Sequence, residues 1–197
     1  MKEHFPNGFD ACYVSYYQRS RETMKIMYPE ARVYEDPRLA EAQRGIWHTM
    51  TKEAIAKHFP FEAYRKNHEG LYHNRPLGGE SWPDVELRIH SFLGTLHRDY
   101  GGKDVLIVAH GHWLILFRRL VERFSIEEAL RMYGEAVAPN ASVTIFGAGD
   151  RGRLAFKEVV TPWQIPNAAK PCRCPCHDQS SGPAAANSEN CDCCSSQ

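Results

Sequence analysis

The sequence predicts an α/β fold, a three-layer sandwich around a largely parallel central sheet. Three observations carry this expectation. The run Asp104-Val-Leu-Ile-Val-Ala109 is continuously apolar over the length of a strand, the composition of a central strand covered on both faces. Before it, Val85, Ile89, Phe92, Leu93 and Leu96 recur at helical spacing and define one buried face. After it, Trp113, Leu114, Leu116, Phe117, Leu120 and Val121 form an apolar helix, so strand and helix alternate.

Taken in order, Ala11-Cys-Tyr-Val-Ser15 reads as a short strand, followed by a helix from about Ser20 to Met27 that Pro29 closes. Val33-Tyr34 is a second short strand before the turn Asp36-Pro37. From Thr51 to about Asn67 the composition is helical, and Pro60 forces a break or a restart. The clearest helix starts at Ser81-Trp-Pro-Asp84. Ser81 can cap it, Pro83 suits the first turn and Asp84 favours the positive helix end. Gly101-Gly102 ends it. Ser125-Ile-Glu-Glu128 is a capping box for another helix. Ser142 to Phe146 and Leu154 to Val160 are two strands joined by the turn Gly149-Asp-Arg-Gly152.

The 197 residues suit one domain, placed at residues 1–167, with an appended tail at 168–197 that has no large apolar residue and cannot build a core. Lys plus Arg and Asp plus Glu balance at 24 each, so no global field argues for a nucleic acid or membrane partner. No stretch approaches the roughly 20 apolar residues that span a bilayer. Cys12 stands apart from the other six cysteines, which lie between Cys172 and Cys194. A disulfide framework would spread across the fold, so the domain is expected to be cytoplasmic.

In open α/β sheets, ligands sit beyond the carboxyl ends of the strands. Ser15-Tyr-Tyr-Gln-Arg19 follows the first strand and His110-Gly111 follows the strongest one. An arginine, a histidine and a helix N-terminus meeting there make a phosphate pocket, because the guanidinium offers a fork of donors and the helix end adds positive potential. Each residue alone also has a bland reading, as a solvated helix start or a structural imidazole.

Five motifs in order sharpen this. Ser15-x-x-x-Arg19-x-x-x-Thr23, Asp36-Pro-Arg-Leu39-Ala-Glu41-Ala-Gln-Arg-Gly45, Gly78-Gly-Glu80-Ser81 with Asp84 and Arg88, Val108-Ala-His110-Gly111, and Pro139-Asn-Ala-Ser142 together resemble the histidine-phosphatase superfamily, of the phosphoglycerate-mutase-like kind. Tyr16 departs from the family's usual proline. The resemblance covers residues 11 to about 160.

It implies a phosphomonoester hydrolase that acts on a small phosphorylated metabolite through a phosphohistidine, with no cofactor for catalysis. Carried over, Arg19 binds phosphate, Glu41 is the proton donor and later base, and His110 stabilises the transferring group. Gly111 allows close approach to the ligand. Glu80 is the rival acid, with a purely structural alternative in which it ties its turn to Arg88 or a backbone amide. His112 either reaches the pocket or, the preferred reading, caps its helix. Asn140 belongs to the last loop. Arg65, Lys66, His73 and Arg75 lie in the variable insert, where they are either solvated surface or a greeting for a second anionic group.

The family's first strand ends in Arg-His-Gly, which supplies the nucleophile, and no Arg-His-Gly occurs in this sequence. The expectation is therefore a family domain lacking its first strand and helix and inactive as it stands. The resemblance implies that this strand lies between the strands ending at Ser15 and His110. Its loss there would leave buried ladder groups unpaired at about 1–3 kcal/mol each. The alternative is a non-catalytic phosphate-ligand binder or scaffold. The short insert over residues 46–79 argues against a mutase, since it leaves little protein to shield a phosphoenzyme.

In the tail, Cys172, Cys174, Cys176, His177, Cys191, Cys193 and Cys194 offer six thiols and an imidazole. Such density suits Zn²⁺ or Cu(I), although Cys-x-Cys is not the usual zinc spacing. A tail without metal is the even alternative.

Overall fold

A computed structural model of the chain describes residues 5–135 and 139–161. The boundary expected after residue 167, the tail and its seven candidate metal ligands lie outside the described residues.

The core of the sheet is three parallel strands, β1 (Ala11–Val14), β2 (Val33–Glu35) and β3 (Val105–Val108), in the order β2-β1-β3. All of β1 is buried. Side chains alternate across a strand, so Ala11 and Tyr13 pack on one face while Cys12 and Val14 pack on the other. The second face is covered by α1 (Gln18–Met27), through Met24. The first face carries α5 (Trp82–Tyr100) and α6 (Gly111–Glu122), whose Val85, Ile89, Phe92, Trp113 and Leu116 form the main core. Helix, sheet and helix are the three expected layers.

β1 and β3 are hydrogen-bonded neighbours, with Ala11, Cys12, Tyr13 and Val14 in register with Val105, Leu106, Ile107 and Val108. This corrects the expected place of a further strand: the strands ending at Ser15 and His110 leave no room between them. Ser15 N–H continues the ladder to Val108 O at 3.0 Å, so the unpaired groups expected there do not arise. β3 itself is not central among the described residues. It is the last strand of the sheet, and Val105, Ile107 and Val108 are only half-buried. Its other edge is apolar and carries none of the charges or prolines with which exposed edges are blunted.

Between β2 and β3 the chain makes the short α2 (Ile46–Thr49), α3 (Lys52–His58) and α4 (Pro60–His73). Pro60 opens α4 at its first position, where a missing N–H does no harm. α5 has the capping box: Ser81 Oγ accepts from Asp84 N–H, and Asp84 accepts from Ser81 N–H at 2.8 Å. α7 (Ile126–Gly134) is capped by Ser125. β4 (Val143–Ala148) and β5 (Leu154–Val160) form a separate antiparallel hairpin, with a register shift between Ile145 and Phe146. Among the described residues no helix is long and apolar enough to cross a membrane.

Candidate functional site

β1 and β3 run parallel and adjacent, so the residues that follow them emerge at the same sheet end. Ser15 and Arg19 come from β1 and the first turn of α1, and His110 is the residue before α6. Arg19 NH2 lies 2.9 Å from His110 Nδ1, and His110 Nε2 lies 2.8 Å from Ser15 Oγ. A guanidinium only donates, so Nδ1 must accept and the ring proton sits on Nε2, donating to the serine hydroxyl. Burial, with Arg19 and Arg88 close by, pulls the His110 pKa down to about 4. The imidazole is therefore neutral at pH 7.

Tyr17 finishes this corner. Its ring meets the His110 ring edge-on at 5.1 Å, and the Arg19 guanidinium lies over it at 4.6 Å. The Gln43 amide donates to the Tyr17 hydroxyl at 2.8 Å and to the Tyr16 hydroxyl at 3.2 Å.

Glu41 reaches the same place from the loop after β2. Its Oε1 accepts from Ala42 N–H at 3.0 Å and from Trp113 N–H at 3.2 Å. Trp113 supplies one of the first-turn amides of α6, groups without partners inside their own helix. The carboxylate thus sits on a helix N-terminus next to His110, and among the described residues no arginine is bonded to it.

Glu80 is held differently. Arg88 grips it with two bonds, Nε to Oε1 at 2.9 Å and NH2 to Oε2 at 3.1 Å, and Gln43 N–H donates to Oε2 at 3.0 Å. These are the Arg88 and backbone-amide contacts that the structural alternative describes. The loops of Glu41 and Glu80 are stitched together by backbone: Glu80 N–H donates to Gln43 O at 2.8 Å and Ile46 N–H to Leu77 O at 3.1 Å. Two glycines permit this approach. Gly45 has φ 51°, and a Cβ there would strike Leu77 O and Gly79 N. A Cβ on Gly79 would lie 2.6 Å from Gln43 O.

Gly111 is the first residue of α6 and is exposed; a Cβ there would enter open space, so packing alone does not demand glycine. His112 does not cap α6, which overturns the preferred reading. The residue at the cap is His110, with no side-chain capping bond, and His112 is wedged between Trp82, centroids 4.4 Å apart, and Tyr133 at 4.9 Å. Burial, with Arg44 and Arg88 close by, pulls its pKa down to about 4. Asn140 is exposed in the turn closed by Ser142 N–H to Pro139 O, and among the described residues no hydrogen bond ties it to Arg19, Glu41 or His110.

The structure therefore brings Arg19, Glu41, His110 and Gly111 to one sheet end, with Glu80 held by Arg88 and Gln43. Sequence reading missed Tyr17, Gln43, Arg44 and Trp47. For Gln43 a signal existed: it lies two residues after Glu41, in the segment that Gly45 lets turn back.

The fold has known counterparts. Residues 2–159 match the family described as "Histidine phosphatase superfamily (branch 1)". A 2,3-bisphosphoglycerate-dependent phosphoglycerate mutase from Rhizobium etli is 34% identical over 70 residues, which are 34% of this chain. The match spans 34% of that curated relative, about a third of its length. Among solved structures, YhfR of Bacillus stearothermophilus superposes with TM-score 0.62 at 24% identity, covering 79% of this chain and 75% of that one. Phosphoserine phosphatase of Entamoeba histolytica gives 0.61 at 17% identity, covering 82% and 78%. The mycobacterial glucosyl-3-phosphoglycerate phosphatase in complex with inorganic phosphate gives 0.60 at 20% identity, covering 79% and 78%. At these identities the structural matches speak for the fold, while the family match takes in most of the sequence. The chain belongs to the histidine phosphatase superfamily, branch 1.

Proposed function

We propose that this chain carries the phosphate-binding and acid–base groups of a phosphomonoester hydrolase for small phosphorylated metabolites. The observation that carries the reading is the contact of Arg19 with His110 at the sheet end, beside the first turn of α6. A phosphoryl group entering there takes the Arg19 donors and frees His110 Nδ1. Its negative charge raises the proton affinity of the imidazole, which then gains a proton and donates to a phosphoryl oxygen. The amide of Gly111, at the first position of α6, is a further donor for the same group. Glu41, hydrogen-bonded to the Ala42 and Trp113 amides, is the acid that protonates the leaving oxygen and then the base that activates water. The bond to phosphorus would be made by a histidine; the family's Arg-His-Gly is not in this sequence.

The alternative is a phosphate-ligand binder without turnover. Two measurements separate the readings. Inorganic phosphate titrated into the chain should shift the His110 ring resonances, and failure to do so would sink both. An acid-labile, base-stable phosphoryl group on a histidine of the protein from its native source supports the hydrolase. Phosphate binding without that group supports the binder.

A further inference from the structure

Next to the phosphate site lies a partly open cleft lined by Gln43, Arg44, Trp47, Lys66, Trp82 and His112 among others. Gln43 joins the two, since its amide holds the Tyr17 hydroxyl and Tyr17 packs on His110. Three features of the cleft are not explained by folding alone. Lys66 sits 3.8 Å over the Trp47 ring, and burial, with Arg44 and Lys52 near, pulls its pKa down. Among the described residues neither Lys66 nor Arg44 forms an ion pair, whereas Arg65 pairs with Glu62 and Glu69 and Arg75 pairs with Asp84. Finally, His112 Nε2 and Trp47 Nε1 are buried without hydrogen-bond partners. Like-charged cations left together and orphaned buried ring nitrogens are each unfavourable, and each is relieved by an anion or an acceptor.

The walls indicate what carries that anion. Trp47, Trp82 and Tyr133 offer ring surface, with Leu71 and Pro76 beside them. The cleft is partly open, with about 70 Å³ of internal space, and a planar ring can lie against these aromatic walls. Glu80 also lines the cleft, but Arg88 neutralises it.

We infer that this cleft is a leaving-group subsite selecting phosphomonoesters whose alcohol part is a planar ring bearing a carboxylate, with Lys66 and Arg44 meeting the carboxylate. The inference rests on the phosphate-site reading for its placement, not for its chemistry. The probes are 4-carboxybenzylphosphonate and benzylphosphonate, neither of them hydrolysable, with binding followed by tryptophan fluorescence. The carboxylated compound should bind about tenfold tighter, and the preference should fall to about one in Lys66→Gln and Arg44→Gln. Equal affinities in the unaltered protein, or a preference that survives both substitutions, overturns the subsite. Benzoate alone separates the two readings. If inorganic phosphate does not bind but benzoate does, and Lys66→Gln weakens it, the subsite stands while the phosphate site fails. If phosphate binds and benzoate does not, the subsite fails alone.

Discussion

The Arg19 guanidinium and His110 Nδ1 stand 2.9 Å apart although 91 positions separate them in sequence. The contact exists because β1 and β3 are parallel neighbours in register, which sends the residues after both strands to one end of the sheet. It also fixes a neutral imidazole with its proton on Nε2, a state that an arriving anion reverses.

Arg19 should therefore govern anion binding without governing folding. Its side chain is exposed, so Arg19→Ala should leave the melting temperature within a few degrees. Its loss removes a charge-assisted bond, and the affinity for inorganic phosphate should fall at least about tenfold. Arg19→Lys should recover part of this, because an ammonium keeps the charge and loses the fork. Calorimetric titration checks the order of the three proteins.

The two buried imidazoles make stability depend on pH. His110 and His112 have pKa values pulled down to about 4, against about 6.5 in an unfolded chain. Between those values the unfolded chain takes up protons that the native one refuses. The stabilisation is thus full above about pH 6.5 and is lost progressively as pH falls toward 4. Urea unfolding at pH 7.5 and pH 5 should show the lower midpoint at pH 5. In ring-proton titrations, inorganic phosphate should move the His110 transition upward.

The two carboxylates should separate by stability. Glu80→Gln leaves half-buried Arg88 without its ion pair and should cost about 1–3 kcal/mol. Glu41 only accepts backbone amides at Ala42 and Trp113, which the amide oxygen of Gln can still do. Glu41→Gln should stay within about 1 kcal/mol. Thermal melts of the two variants check this, and equal losses would remove the distinction drawn between them.

Gly45→Ala should be among the most damaging single substitutions. The positive φ and the approach of Leu77 O and Gly79 N leave no space for a Cβ. The loss should reach at least about 2 kcal/mol. The stitch between the Glu41 and Glu80 loops should open with it, seen as faster hydrogen exchange at the Ile46 and Glu80 amides.

By itself the sequence determined most of the elements, although α2 was not foreseen and α4 runs on to His73, past the end expected near Asn67. Ser81 marks a helix cap, Pro60 a break or restart, and the apolar run from Ala11 to Ser15 a strand, because caps and apolar runs are written in residues only a few positions apart. The order of the five motifs likewise announced which residues gather at the sheet end. Only the tertiary structure decided partnership. Either carboxylate could have met Arg88 on sequence grounds, and folding gave Arg88 to Glu80 and left Glu41 on the α6 amides. His112 could have capped a helix, and instead Trp82 and Tyr133 enclose it. The neighbour of β3 was misjudged because an apolar run records how buried a strand is, not which strand lies beside it. Of the cleft, the sequence pointed to Lys66 and His112 but not to the walls around them, for the same reason. Those walls come from the loop after β2 and from α2, α4, α5, α6 and α7, and no local pattern specifies how segments so far apart in sequence will meet.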